Sequence, residues 1–162
     1  MLLATDEMER TVFYMAAKYG IPNLLQDIIE WGKVNLTLVE MKNKLFLSTD
    51  CRGKTAWHAA AGRRNLEILQ EIWNLSKEKI SADDLKNKLL FATDCRGMTA
   101  WHAAAERANL EILHEIWNLA KQKLSADKLK NKLLLATGWN GMTTWHAAAK
   151  CGCYGQEGWT GV

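Results

Sequence analysis

The stretch TDCRGKTAWHAAA occupies Thr49–Ala61, and TDCRGMTAWHAAA occupies Thr93–Ala105, one substitution apart and 44 residues further on. A worn copy, TGWNGMTTWHAAA, follows after another 44 residues at Thr137–Ala149. Each carries a histidine and two carry a cysteine, residue types that serve catalysis in some proteins and structure in others. The repetition decides between these uses. Leu45–Lys88 laid on Leu89–Lys132 without a gap is identical at 33 of 44 positions, so one unit has been duplicated. Met1–Lys44 is a diverged copy in the same register, ending in the same KNK, and a fourth unit starts at Leu133 and loses the pattern after Ala149. A catalytic or metal site needs several groups converging on one point, whereas a repeat carries each residue along an axis.

Three helices are expected per unit. The first opens at Thr55, a good N-cap residue, and covers AWHAAA. The second opens near Asn65. Leu66, Leu69 and Trp73 form one apolar row with Ile68, Ile72 and Leu75 beside it, a stripe of helical period. The third follows Ser81, with Asp84 at the capping-box position, and Thr37 and Glu40 take those parts in the first unit. The Asp and Gly of TDCRG predict a tight turn, with at most a short hairpin there. No helix buries its apolar face within one unit, but stacked units do, so the expected fold is all-α, a helical repeat solenoid with short turn or hairpin connections.

At this point the residues resemble a known family. D-x-x-G-x-T-A-W-H-A-A-A followed by N-L-E-I-L is similar to the ankyrin repeat. Asp50, Gly53, Thr55, His58, Ala60, Ala61 and Glu67 match in the second unit, and Asp94, Gly97, Thr99, His102, Ala104, Ala105 and Glu111 in the third. The fourth keeps Gly141, Thr143, His146, Ala148 and Ala149, with Gly138 in place of the aspartate. The first keeps Asp6, Thr11, Ala16, Ala17 and Gly20, with Phe13 and Tyr14 at the Trp–His pair. The family period is about 33 residues, and the extra stretch here falls around SADDLKNKLL, read as a longer second helix plus an extra short one. Trp57 and Trp101 stand at the usual leucine, Ala56 and Ala100 at the usual proline, and Arg64 and Ala108 at the glycine that closes the first helix. The resemblance implies a divergent ankyrin-like domain over residues 1–150, with units 1–44, 45–88, 89–132 and a partial 133–150. It also implies that the histidine ties one unit to the next turn, and that the concave surface of turn tips and first helices binds other proteins.

Each chemical motif has a bland reading beside a sharp one. His58, His102 and His146 recur one per unit, and helices packed about 8–10 Å apart hold them too far apart to share a metal ion. Cys51 and Cys95 sit at equivalent turns, outside the reach of a disulfide. CGC at Cys151–Cys153 beside His146 supplies the alternative reading, a Cys/His metal- or redox-linked binding protein. Trp57, Trp73, Trp101, Trp117 and Trp145 fall where the pattern puts core, with Phe13 and Ile29 in their places in the first unit. Trp31, Trp139 and Trp159 fall outside that register. Lys42, Lys44, Lys86, Lys88, Lys130 and Lys132 of the LKNK motif read as solvated side chains.

Composition narrows the classes further. The 48% hydrophobic and 24% charged fractions are those of a globular domain. A net charge of +3 is too small to argue for nucleic acid, so no specific nucleic-acid partner is expected. No apolar run approaches the about 20 residues a membrane-spanning helix needs. MLLATDEMER turns acidic at once, unlike a signal peptide, and the four cysteines fit a reducing compartment, so the expected location is cytoplasmic. The expected function is a non-enzymatic protein-interaction module without cofactor, its contacts being Arg52, Lys54, Arg63, Arg96, Met98, Arg107, Trp139, Asn140 and Met142. After Lys150 the chain runs CGCYGQEGWTGV, whose glycines predict a disordered tail over 151–162 and a partly uncovered Trp145. The chain is also read as a segment of a longer repeat array.

Overall fold

The computed structural model of the chain describes residues 2–79, 85–122, 124–138 and 141–150. The first unit folds as α1 (Val12–Tyr19), α2 (Pro22–Asn35) and α3 (Leu38–Met41), which runs on as a π-helical turn over Lys42–Phe46. The second holds α4 (Ala56–Gly62), α5 (Leu66–Lys79) and a π-wound α6 (Leu85–Leu90). The third holds α7 (Ala100–Ala105), α8 (Leu110–Lys121) and α9 (Ala126–Leu129), again continued by a π turn at Lys130–Leu134. The fourth supplies α10 (Thr144–Lys150). First helices thus begin 44 residues apart, as the register requires.

The chain is mostly helical, and no strand occurs among the described residues. Isolated antiparallel bridges at Thr5–Thr11, Thr49–Thr55 and Thr137–Thr143 pinch the turns, the short connections expected. α1 packs on α4, α4 on α7 and α7 on α10, while α2 packs on α5 and α5 on α8. The π turn of one unit lies against the next, on α5, α8 and α10 in order. Two helical layers result. One apolar cluster runs through them from Phe13 to Ala147. In the first layer Ala16, Ala17, Ala60, Ala61, Ala104 and Ala105 are all buried, and their small side chains let successive helices approach closely.

Aromatic pairs join the first helices to the elements behind them. Trp57 stacks on Trp73 at 5.7 Å and Trp101 on Trp117 at 6.1 Å, while in the first unit Phe13 meets Phe46 edge-on at 5.4 Å. The indole N–H groups of Trp57 and Trp101 find no acceptor among the described residues, so these rings are held by burial and ring contact without a hydrogen bond. Trp145, the fourth in the register, is 41% exposed, as the sequence predicts. Trp31, outside the register, is half-buried. The tail expected at 151–162, Cys151 and Cys153 with it, and Trp159, lie outside the described residues.

Asn65 and Asn109 cap the second helices through the N–H groups of Ile68 (3.1 Å) and Ile112 (3.3 Å). Thr37 and Glu40 form the anticipated capping box, whereas Ser81 and Asp84 lie outside the described residues. The third helix differs from expectation in its winding. KNKLF must bury Leu45 and Phe46, which are adjacent, together with Met41. In an α-helix adjacent residues point about 100° apart, and the wider π turn brings both into one core. LKNKLL repeats the solution with Leu89 and Leu90.

Candidate functional site: the groove along the turn tips

Each turn is built around an aspartate. Asp50 Oδ1 accepts the N–H groups of Arg52 (3.0 Å) and Lys54 (2.8 Å), and Asp94 Oδ1 those of Arg96 and Met98, both at 2.9 Å. Asp6 repeats the arrangement with Met8 and Arg10. Gly138, at the same place in the fourth unit, keeps the turn with backbone alone, donating to the Met142 carbonyl at 2.9 Å. Consecutive turns are laced together, Cys51 N–H to the Met8 carbonyl (2.9 Å) and Cys95 N–H to the Arg52 carbonyl (2.8 Å). The lacing explains Gly53. It sits at φ 74°, and a Cβ there would stand 3.1 Å from Cys95 N.

The histidines fasten the units. Thr55 N–H donates to His58 Nδ1 (3.2 Å), and Thr55 Oγ1 lies 2.9 Å from the same nitrogen, a capping box with imidazole in the usual place of Glu. A backbone N–H can only donate, so Nδ1 carries no proton and the ring is the neutral Nε2–H tautomer. That Nε2–H reaches the Met98 carbonyl of the next turn at 3.1 Å. His102 does the same with Thr99 and the Ala136 carbonyl. Burial pushes His58 down to about 4, and it lowers His102 as well. Tyr14 takes the histidine's place in the first unit, and its hydroxyl donates to Asp50 Oδ2 at 3.0 Å. Burial and the Asp50 charge raise its pKa. With both nitrogens engaged, His58 has no lone pair left to activate Cys51 or bind a metal. Among the described residues no group of three or more metal-ligating side chains converges.

What this framework leaves on its surface is a groove of about 320 Å³ across the turn tips and first helices of three units. Arg52, Lys54, Arg63 and Arg107 line it, with Arg10 and Lys18 from the first unit. Ala59, Gly62 and Ala103 line it as well. The carboxylates on its wall are Asp50, already spent on Tyr14 and the turn, and Glu106. Arg10 is paired with Asp6. Among the described residues, Arg52, Lys54, Arg63 and Arg107 are in no ion pair. No helix among the described residues is long and apolar enough to cross a membrane.

Of the residues expected at the contact face, Arg52, Arg63 and Arg107 are exposed and Lys54 is half-buried, all four in this groove. Arg96 is exposed but held beside Asp94 (3.5 Å) and Glu106 (3.8 Å). Met142 is half-buried, and Trp139 and Asn140 lie outside the described residues. Met98 has to be withdrawn from the face. It is 4% exposed, because an uncharged thioether gains by turning inward where Lys54, its counterpart, must keep an ammonium in water. Arg10, Tyr14 and Lys18 were not among the expected contacts, although the register places Arg10 opposite Lys54 and Tyr14 opposite His58. The chain matches no protein-family model and no curated protein at a significant level.

Proposed function

We propose that the chain is an ankyrin-like solenoid that acts as a non-enzymatic interaction module, binding another protein along the groove of turn tips and first helices. The observation that carries this reading is the groove itself, built from three consecutive units and lined by Arg52, Lys54, Arg63 and Arg107, which are in no ion pair among the described residues. Three further features support it. The histidine–threonine box, the aspartate turn and the left-handed closure at Gly20, Arg64 and Ala108 are the points at which the ankyrin resemblance makes structural demands. The polar groups usual in catalysis, His58 and His102, are spent on joining units.

Gly62 offers a clean test. A Cβ added there meets only the Ala103 Cβ at 3.9 Å, and leucine has the higher helix propensity, so Gly62→Leu should occupy the groove and keep the melting temperature. Affinity capture with the wild-type chain and with Gly62→Leu should give partners that the variant loses. A variant that keeps its melting temperature and every partner contradicts the reading.

A further inference from the structure

The groove has a direction and a sign. The 44-residue register arranges its cations in columns along the stack: Arg10 and Lys54 at the turns, Arg63 and Arg107 at the ends of the first helices. Arg52 stands at a turn tip, in register with Arg96. The small residues Ala59, Gly62 and Ala103 line the same groove. Basic and small side chains that line one groove across three units suit a chain lying along the stack.

We propose that the partner's contacting part is an extended acidic segment, its carboxylates paired to Arg52, Lys54, Arg63 and Arg107 and its backbone over Gly62. The inference rests on the interaction reading above and specifies the partner's chemistry. The charge complementarity is local rather than global, since the whole chain carries only +3. Arginine suits carboxylates because its planar fork donates two parallel hydrogen bonds. The spacing follows from geometry. Packed helices repeat at about 8–10 Å, and an extended chain advances about 3.3 Å per residue. One acidic residue in three therefore keeps pace with the units. Nucleic acid fits less well, because Glu106 faces the same opening and the aromatic ring there, Tyr14, is buried with its hydroxyl tied to Asp50.

The test titrates the full chain, at low ionic strength, with a labelled peptide carrying Glu at every third position in a Ser/Ala background, read by fluorescence anisotropy. The same peptide with Gln for Glu is the control. Binding of the Glu peptide should exceed that of the Gln peptide by about tenfold or more, and should weaken as salt rises. Arg63→Glu combined with Arg107→Glu should remove that preference. Lys121→Glu, on an exposed part of α8, should leave it unchanged. Equal binding of the two peptides, an unaltered preference in the double variant, or tighter binding of a single-stranded oligonucleotide than of the Glu peptide overturns the inference. The double variant also separates the two readings. Captured partners lost with Gly62→Leu but kept by Arg63→Glu/Arg107→Glu overturn the acidic segment and leave the groove standing as a protein site. Partners kept by both variants overturn the groove as well.

Discussion

His58 is neutral because burial disfavours its charged form and because a backbone N–H faces Nδ1. A second proton would set Nδ1–H against the Thr55 N–H. Its folded pKa of about 4 lies below the ordinary 6.5, so between those values the unfolded chain binds the extra proton. Stability therefore rises with pH through that window and is lost as pH falls through it, by an amount on the order of 3 kcal/mol over the full range. Urea unfolding at a series of pH values checks this, and replacing His58 by Gln should flatten the slope. A second prediction concerns the left-handed residues that close the first helices. Gly20 adopts φ 71° freely, but Arg64 and Ala108 hold φ 61° and 54° with a Cβ in place. Arg64 is offset by its guanidinium on the Arg107 carbonyl at 2.7 Å, whereas Ala108 has no such bond. Ala108→Gly should raise stability by about 1 kcal/mol, and Gly53→Ala should lower it by at least about as much, both measurable by denaturant melts.

At the scale of the element, the instructive case is the third helix. Its start was legible, since Thr37 and Glu40 are a capping box in sequence and in structure, and so were the Asn65 and Asn109 caps. Its winding was not, because over five residues an apolar pair such as Leu45–Phe46 fits an i+4 or an i+5 path equally well. Only the demand of the neighbouring helices selects the π turn. The consequence is testable. Leu45→Ala and Phe46→Ala should each destabilise by about 2–5 kcal/mol, because both adjacent side chains are in the core. Lys44→Ala removes only an exposed pair with Glu40 and should change stability by less than about 1 kcal/mol. If only one of the two core substitutions is costly, the segment is wound as an ordinary α-helix.

For the whole molecule, the 44-residue register predicted the order of the helices, because that order depends on translation alone. Met98 and Tyr14 show where that reasoning stops. The register treats Met98 as equivalent to Lys54 and Tyr14 as a substitute for His58, but burial and a new partner, Asp50, depend on side-chain chemistry that position does not specify. The stack also predicts its own tolerance. The main helix packing runs between neighbouring units, so removing residues 45–88 in register should bring Tyr14 to Asp94 and rebuild the same interfaces. The shortened chain should keep a cooperative thermal transition by circular dichroism at a lower midpoint, and a loss of helical signal would contradict a nearest-neighbour stack. The most direct test of the binding face is hydrogen exchange of the full chain with and without the Glu-bearing peptide. Protection should concentrate in residues 50–64 and 94–108, the turns and first helices. Protection confined instead to residues 66–79 and 110–121, on the second helices, would contradict the account.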